Sequence, residues 1–347
     1  MPLALLAGAL VALAGCATQR VAPHTAHAVE LDGVPFFAQE RYQCGPAALA
    51  TVLVYNGVDV TPDQLVPLVY VPERKGSFQA ELKAATREFG RLPYVLSAPE
   101  PKATEAETAE PTKTARDPAS EALLDEVAAG HPVLVLQNLG FSWLPKWHYA
   151  VVIGYEPESD NLLLRSGTTE RKSERSQSFL RTWRLAGNWA MVALRPGDIP
   201  ASASADTYLS MLAASEGHIT AADMHSALAA GLREWPNAAD LMFAAGNHAR
   251  VQGDVLEAAQ LYRSALVVQP THAGVLNNFA DLLYAESCIE SSLEQIATAE
   301  EAVDPDSALY PVLQMTAREI GVAARAQGAT DSGAFCPQLT GRTDSSQ

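Results

Sequence analysis

Basic residues are scarce. Only 24 Lys and Arg stand against 40 Asp and Glu in 347 residues, a formal net charge of −16. That balance excludes a nucleic-acid binder, whose phosphate contacts need clustered cations, and it argues against electrostatic docking of the whole chain on anionic lipid. No glycine-rich phosphate loop occurs, and no His, Cys and Asp set has metal-ligand spacing, so neither a cofactor nor a metal is expected. After residue 16 no apolar run is long enough to span a bilayer. Aromatics make up only 7% of the chain, but hydrophobic residues reach 48%, and this length can bury the cores of two domains. Cysteine is rare as well, with four: Cys16, Cys44, Cys288 and Cys336.

The first of these closes MPLALLAGALVALAGC, which is apolar and uncharged. The run is too short for a stable span and suits a secretory h-region. Its end, LAGC, is similar to the lipobox of bacterial lipoproteins. That resemblance implies that residues 1–16 are a signal peptide, that Cys16 carries lipid, and that Ala17 in place of Asp directs the protein to the outer membrane. The expectation is a cell-envelope lipoprotein facing the periplasm, held to the membrane only by its N-terminal lipid, with residues 17–30 as a tether. An exported compartment permits disulfides. Pairing Cys288 with Cys336, both in the C-terminal half, leaves Cys44 as the free thiol. A free thiol in an oxidising space suggests chemistry more than packing.

From residue 31 to about 199 the chain reads as an α+β domain. ALATVLVYNG is a helix stopped by Asn-Gly, TPDQLVPLVYV opens on a Thr cap, and SFQAELKAATREFG carries apolar residues at helical spacing with Ser77 as its cap. LPYVLS, HPVLVLQN, HYAVVIGY, NLLLRSG and NWAMVALRP read as strands. Helices first and strands afterwards indicate segregated layers. Residues 98–120, rich in Pro, Glu, Thr and Ala, cannot bury enough surface to order themselves and are expected to be a disordered insertion. Residues 200–340 read as all-α. Pro236 and Pro270 each close an apolar helix 34 residues apart. The stretch LMFAAGNHARVQGDVLEAAQLYRSALVVQP resembles a tetratricopeptide repeat, with Gly246 at the small-residue position, Gly253-Asp254 at the turn, and Ala258, Tyr262, Ala265 and Pro270 following. A looser copy spans Gly274 to Pro305. The resemblance implies a protein partner bound through the repeats.

Cys44 stands at the mouth of a helix, before Gly45 and Pro46. Proline fits the first turn, and the positive end of the helix dipole favours a thiolate. A thiolate needs an imidazole partner. His148, opening the strand HYAVVIGY, is the candidate; the other histidines fall in the tether, before a different strand, or in the helical half.

The set AQERYQCGPAAL with HYAVVIGY resembles the C39-like family of papain-fold cysteine peptidases, in particular its exported lipoprotein members with tetratricopeptide tails. The resemblance implies a papain-like core acting on peptide or protein substrates. It makes Cys44 the nucleophile, His148 the general base and acid, and Gln39 a donor to the oxyanion hole beside the Cys44 backbone N–H. Such donors are worth roughly 3 kcal/mol each where negative charge develops. Ser166-Gly167 falls where bacteriocin-processing members carry an orienting Asp-Pro. Ser166 is therefore the candidate third member; it can accept a hydrogen bond but supplies no charge to an imidazolium. Besides a peptidase, two readings stay open: a non-catalytic peptide-binding adaptor of the envelope, and an acyl- or amide-transferring enzyme using the same thiolate.

Overall fold

The computed structural model describes residues 28–38, 43–74, 76–96 and 118–341. The apolar N-terminal run with Cys16, most of the tether, Gln39 and residues 98–117 of the expected insertion lie outside the described residues.

The first half is built on an antiparallel sheet. In chain order its parts are β1 (Val29–Glu30), α1 (Cys44–Tyr55), α2 (Pro62–Val69), α3 (Gln79–Glu88), β2 (Leu92–Val95), α4 (Pro118–Ala128), β3 (Val133–Asn138), β4 (Trp147–Glu156), β5 (Asn161–Ser166), β6 (Thr169–Arg175), α5 (Ser176–Arg184) and β7 (Ala190–Leu194). The sheet order is β2-β7-β3-β4-β5-β6, and β1 adds to β4. Side chains alternate between two cores, as the two-residue period of a strand requires. Leu134, Leu136, Tyr149, Val151 and Met191 face the core containing α1 to α3. Val133, Val135, Ala150, Val152 and Val192 face the core that holds Leu123 of α4 and Phe179 and Trp183 of α5. A fully buried side chain of phenylalanine size contributes roughly 1.5–3 kcal/mol, so the two-sided burial of β3, β4 and β7 fixes their register.

Local signals act as their chemistry demands at some ends and not at others. Thr61 caps α2 in a capping box with Gln64. Ser77 does not cap α3: the cap position is Phe78, without a side-chain bond, and the Ser77 hydroxyl is buried without a partner. Helix α4 begins at Pro118, with Ala119 and Ser120 already buried, so the last three residues assigned to the insertion are helical. Val29 and Glu30, assigned to the tether, pair with Tyr155 and Gly154.

The second half is all-α: α6 (Ala205–Ala213), α7 (Ala221–Glu234), α8 (Ala239–Gln252), α9 (Val255–Val268), α10 (Ala273–Ala285), α11 (Ile289–Ala302), α12 (Tyr310–Gln327) and α13 (Cys336–Thr340). Close helix pairing rests on glycine. A Cβ added at Gly246 would lie 2.6 Å from the ring of Tyr262, and one at Gly231 would lie 2.8 Å from that of Tyr208, so only hydrogen fits beneath each buried tyrosine. Gly253, in the left-handed region at φ 84°, ends α8, and Asp254 accepts from the Glu257 N–H to start α9. The halves share a core: Tyr208, Leu212, Ala227 and Leu241 are continuous with the sheet face that holds Phe179 and Trp183. At the junction the fully buried Glu126 carboxylate accepts from the Ser202 N–H at 2.9 Å and hydroxyl at 2.7 Å. Among the described residues no helix is long and apolar enough to cross a membrane.

Candidate active site

Cys44 is the first residue of α1, and Gly45 and Pro46 complete the opening turn. Helix α1 passes close to the entrance of α3 at this point because Gly45 has no side chain. A Cβ there would stand 2.3 Å from the Ser77 hydroxyl and 3.7 Å from the ring of Tyr149. The Tyr149 hydroxyl in turn donates to the Ser77 carbonyl at 3.2 Å, which ties the α3 entrance to β4. The backbone N–H groups of Tyr149, Gly45 and Cys44 itself favour negative charge on the Cys44 sulfur. The sulfur therefore rests against the peptide unit that joins His148 to Tyr149.

Burial pushes the Cys44 thiol up, and those three N–H groups pull it back in part. The dipole argument from the sequence is thus outweighed: desolvation is the larger effect, and the resting group is a thiol.

His148 lies near the start of β4, opposite Gln137 of β3. Its Nε2 is 2.9 Å from the Ser166 hydroxyl at the end of β5. The structure so brings together Ser166 and His148 through the ring, and Cys44 and His148 through the backbone. A hydrogen bond between ring and sulfur is not present among the described residues. Among the described residues Cys44 is the free cysteine, and Cys288 and Cys336 are joined in a disulfide.

Two further residues belong to the site that the sequence did not single out. Burial, with Lys172 of β6 and Lys146 of the preceding loop, drives the His148 pKa from 6.5 down to about 4. Both lysines oppose an imidazolium, and Ser166 brings no charge to offset them. At neutral pH the site holds a neutral imidazole beside a neutral thiol. Lys172 is positioned by pairing with Leu164, a register that cannot be read from a charged strand in isolation.

This setting has a consequence for acid stability. The folded-state value lies below the ordinary one, so between about pH 6.5 and 4 the unfolded chain binds a proton that the folded chain does not. Stability from this group is complete above 6.5, falls as pH drops through the window, and levels off below about 4. A shift of this size corresponds to about 3 kcal/mol. Urea unfolding of the natural chain and of His148→Gln, at pH 7 and pH 4, is expected to show that loss in the former and not in the latter; equal losses would show that other groups carry it.

No group of His, Cys, Asp and Glu able to hold a metal occurs among the described residues.

Residues 31–191, a little under half of the chain, match the family model of the Peptidase_C39 like family. Among solved structures, a putative C39-like peptidase from Bacillus anthracis is similar at 17% identity and TM-score 0.37, covering 49% of this chain and 98% of that one. The peptidase domain of Streptococcus ComA, a bi-functional ABC transporter involved in a quorum-sensing pathway, is similar at 17% identity and TM-score 0.34, covering 48% of this chain and 98% of the other. No curated protein matches the chain.

Proposed function

We propose that the protein is a cysteine peptidase of C39-like type, hydrolysing peptide bonds through a Cys44 thioester. The observation that carries this reading is the placement of the Cys44 sulfur at the start of α1, on the peptide N–H that follows His148, inside the segment that matches the family model. His148 takes the thiol proton as the sulfur attacks the substrate carbonyl carbon. It then passes that proton to the leaving amine. Water, deprotonated by the same ring, attacks the thioester, releases the carboxylic acid and restores the thiol. Ser166 orients the imidazole through Nε2. The Cys44 backbone N–H and Gln39 supply the oxyanion hole in this scheme. Membrane anchoring by lipid on Cys16, a periplasmic location and a protein partner on the C-terminal helical pairs complete the proposal. They are supported by the LAGC motif and by the Gly246 and Tyr262 pattern.

A second reading, a peptide-binding adaptor that performs no hydrolysis, is favoured by one observation: burial, with Lys172 and Lys146, holds the imidazole neutral, and Ser166 offers no charge against them. One experiment separates the two. A thiol-directed activity probe is expected to label Cys44 in the folded chain and to label His148→Ala about a hundredfold more slowly, the lower end of a general base's contribution. Equal labelling of both chains would favour the adaptor.

A further inference from the structure

The loop from Leu139 to Trp147, which joins β3 to β4 and leads into His148, holds large apolar side chains in solvent. Phe141 is 62% exposed, Trp143 77%, Leu144 61% and Trp147 54%. The backbone beneath them is braced. Phe141 and Leu144 exchange N–H to carbonyl bonds at 3.1 Å, and the Asn138 side-chain oxygen accepts from the Gly140 and Lys146 N–H groups at 2.9 Å each. The rings of Phe141 and Trp143 stack with centroids 5.6 Å apart. Gly140 is required for this turn, because a Cβ would stand 2.3 Å from the Leu144 carbonyl. A loop so tightly tied that still directs two tryptophans, a phenylalanine and a leucine outward gains nothing from them in folding; such a patch marks an interaction surface.

The surroundings specify its partner. An open groove of about 530 Å³ beside the loop tip is lined by Phe141, Trp143, Leu185, Arg181 and Arg184 as its large side chains, with no acid among them. Lys146 adds a cation from the loop itself. The chain as a whole carries −16, but screening limits the reach of a surface charge to about 8 Å at physiological ionic strength. A surface approaching the tip therefore meets the nearby cations Arg181 and Lys146 rather than the total. Projecting aromatics ringed by Arg and Lys fit the interface of an anionic bilayer, where indole lies at the headgroup level and cations meet phosphate.

We propose that the 139–147 loop, with Arg181, is a docking surface for an anionic phospholipid bilayer. It holds the His148 edge of the sheet against the membrane, and it does so independently of any lipid on Cys16 and of the peptidase reading. The test uses the full chain on vesicles of phosphatidylglycerol and phosphatidylethanolamine whose acyl chains are brominated near the headgroup. Trp143 and Trp147 are expected to be quenched, while Trp183, at 1% exposure, is not. Phe141→Ser/Leu144→Ser keeps every tryptophan and is expected to lose the quenching and about tenfold in partitioning. Arg181→Gln is expected to lower affinity about fivefold. Phosphatidylcholine vesicles are expected to bind more weakly. No binding, unquenched loop tryptophans on vesicles that retain the chain, or an emission shift given instead by a soluble apolar peptide without lipid would each overturn the proposal.

Discussion

Ser166→Asp is expected to raise the His148 pKa and to speed thiol labelling of Cys44 by up to about a hundredfold near neutral pH. The substitution places a carboxylate where a hydroxyl now lies 2.9 Å from Nε2. An opposite charge at that range raises an imidazole by roughly 1–3 units, against the combined effect of burial, Lys172 and Lys146. The reactive form of the site is the thiolate and imidazolium pair, and its population depends on the difference between the two pKa values. Raising the imidazole by about 2 units at constant thiol multiplies that population by about a hundred. Titration of the ring by NMR measures the cause, and probe labelling across pH 5–8 measures the effect. A raised pKa with unchanged labelling would mean that the ring does not deprotonate Cys44, and the peptidase scheme would lose its base. The converse substitution, Lys172→Gln, is expected to act in the same direction and less strongly.

The elements around Cys44 were legible because their signals are local. Gly45 and Pro46 mark the first turn of α1, Thr61 with Gln64 forms the capping box of α2, and the apolar runs of β3, β4 and β7 are buried on both faces. What escaped the sequence depends on partners distant in the chain. Strand β6, TERKSER, shows no apolar alternation because it is an edge strand whose charged side chains face water, a pattern that also discourages edge-to-edge pairing. Missing β6 meant missing Lys172, and with it the second cause of the depressed His148 value. Helix α5, SQSFLRTWR, is short and begins without a capping side chain; its place is decided by burial of Phe179 and Trp183. Ser77 looked like a cap and instead faces Gly45, where the close approach of α1 to the α3 entrance outweighs the preference of a hydroxyl for a helix start. The candidate site combines both kinds of information: its nucleophile and imidazole stand in readable motifs, and the charges that set their protonation do not.

Removing the disulfide is expected to cost about 4 kcal/mol of unfolding free energy. Cys288 and Cys336 are bonded across a separation of 48 residues, and in the chain-entropy account closing a loop of that length restricts the unfolded ensemble by about this amount. The bridge matters more here because little else retains the segment it ends. Between α12 and α13 there is no extended regular structure beyond the isolated pairing of Cys288 with Asp331. Asp331 accepts from the Ser291 N–H at 3.0 Å, Leu339 is buried against the α9 region, and Arg263 donates to the Gln338 carbonyl at 2.7 Å. A five-residue helix cannot hold itself, so α13 depends on those contacts and on the covalent link. Cys288→Ala/Cys336→Ala avoids burying a new hydroxyl, since both cysteines are buried, and is the variant to unfold in urea beside the natural chain. The midpoint is expected to fall, and amide exchange in residues 328–341 is expected to rise before any change in β3 or β4, because the buried residues of the sheet cores and those around the disulfide form separate clusters. A loss below about 1 kcal/mol would show that the unfolded chain is already compact between the two cysteines, since loop closure then has little entropy left to remove.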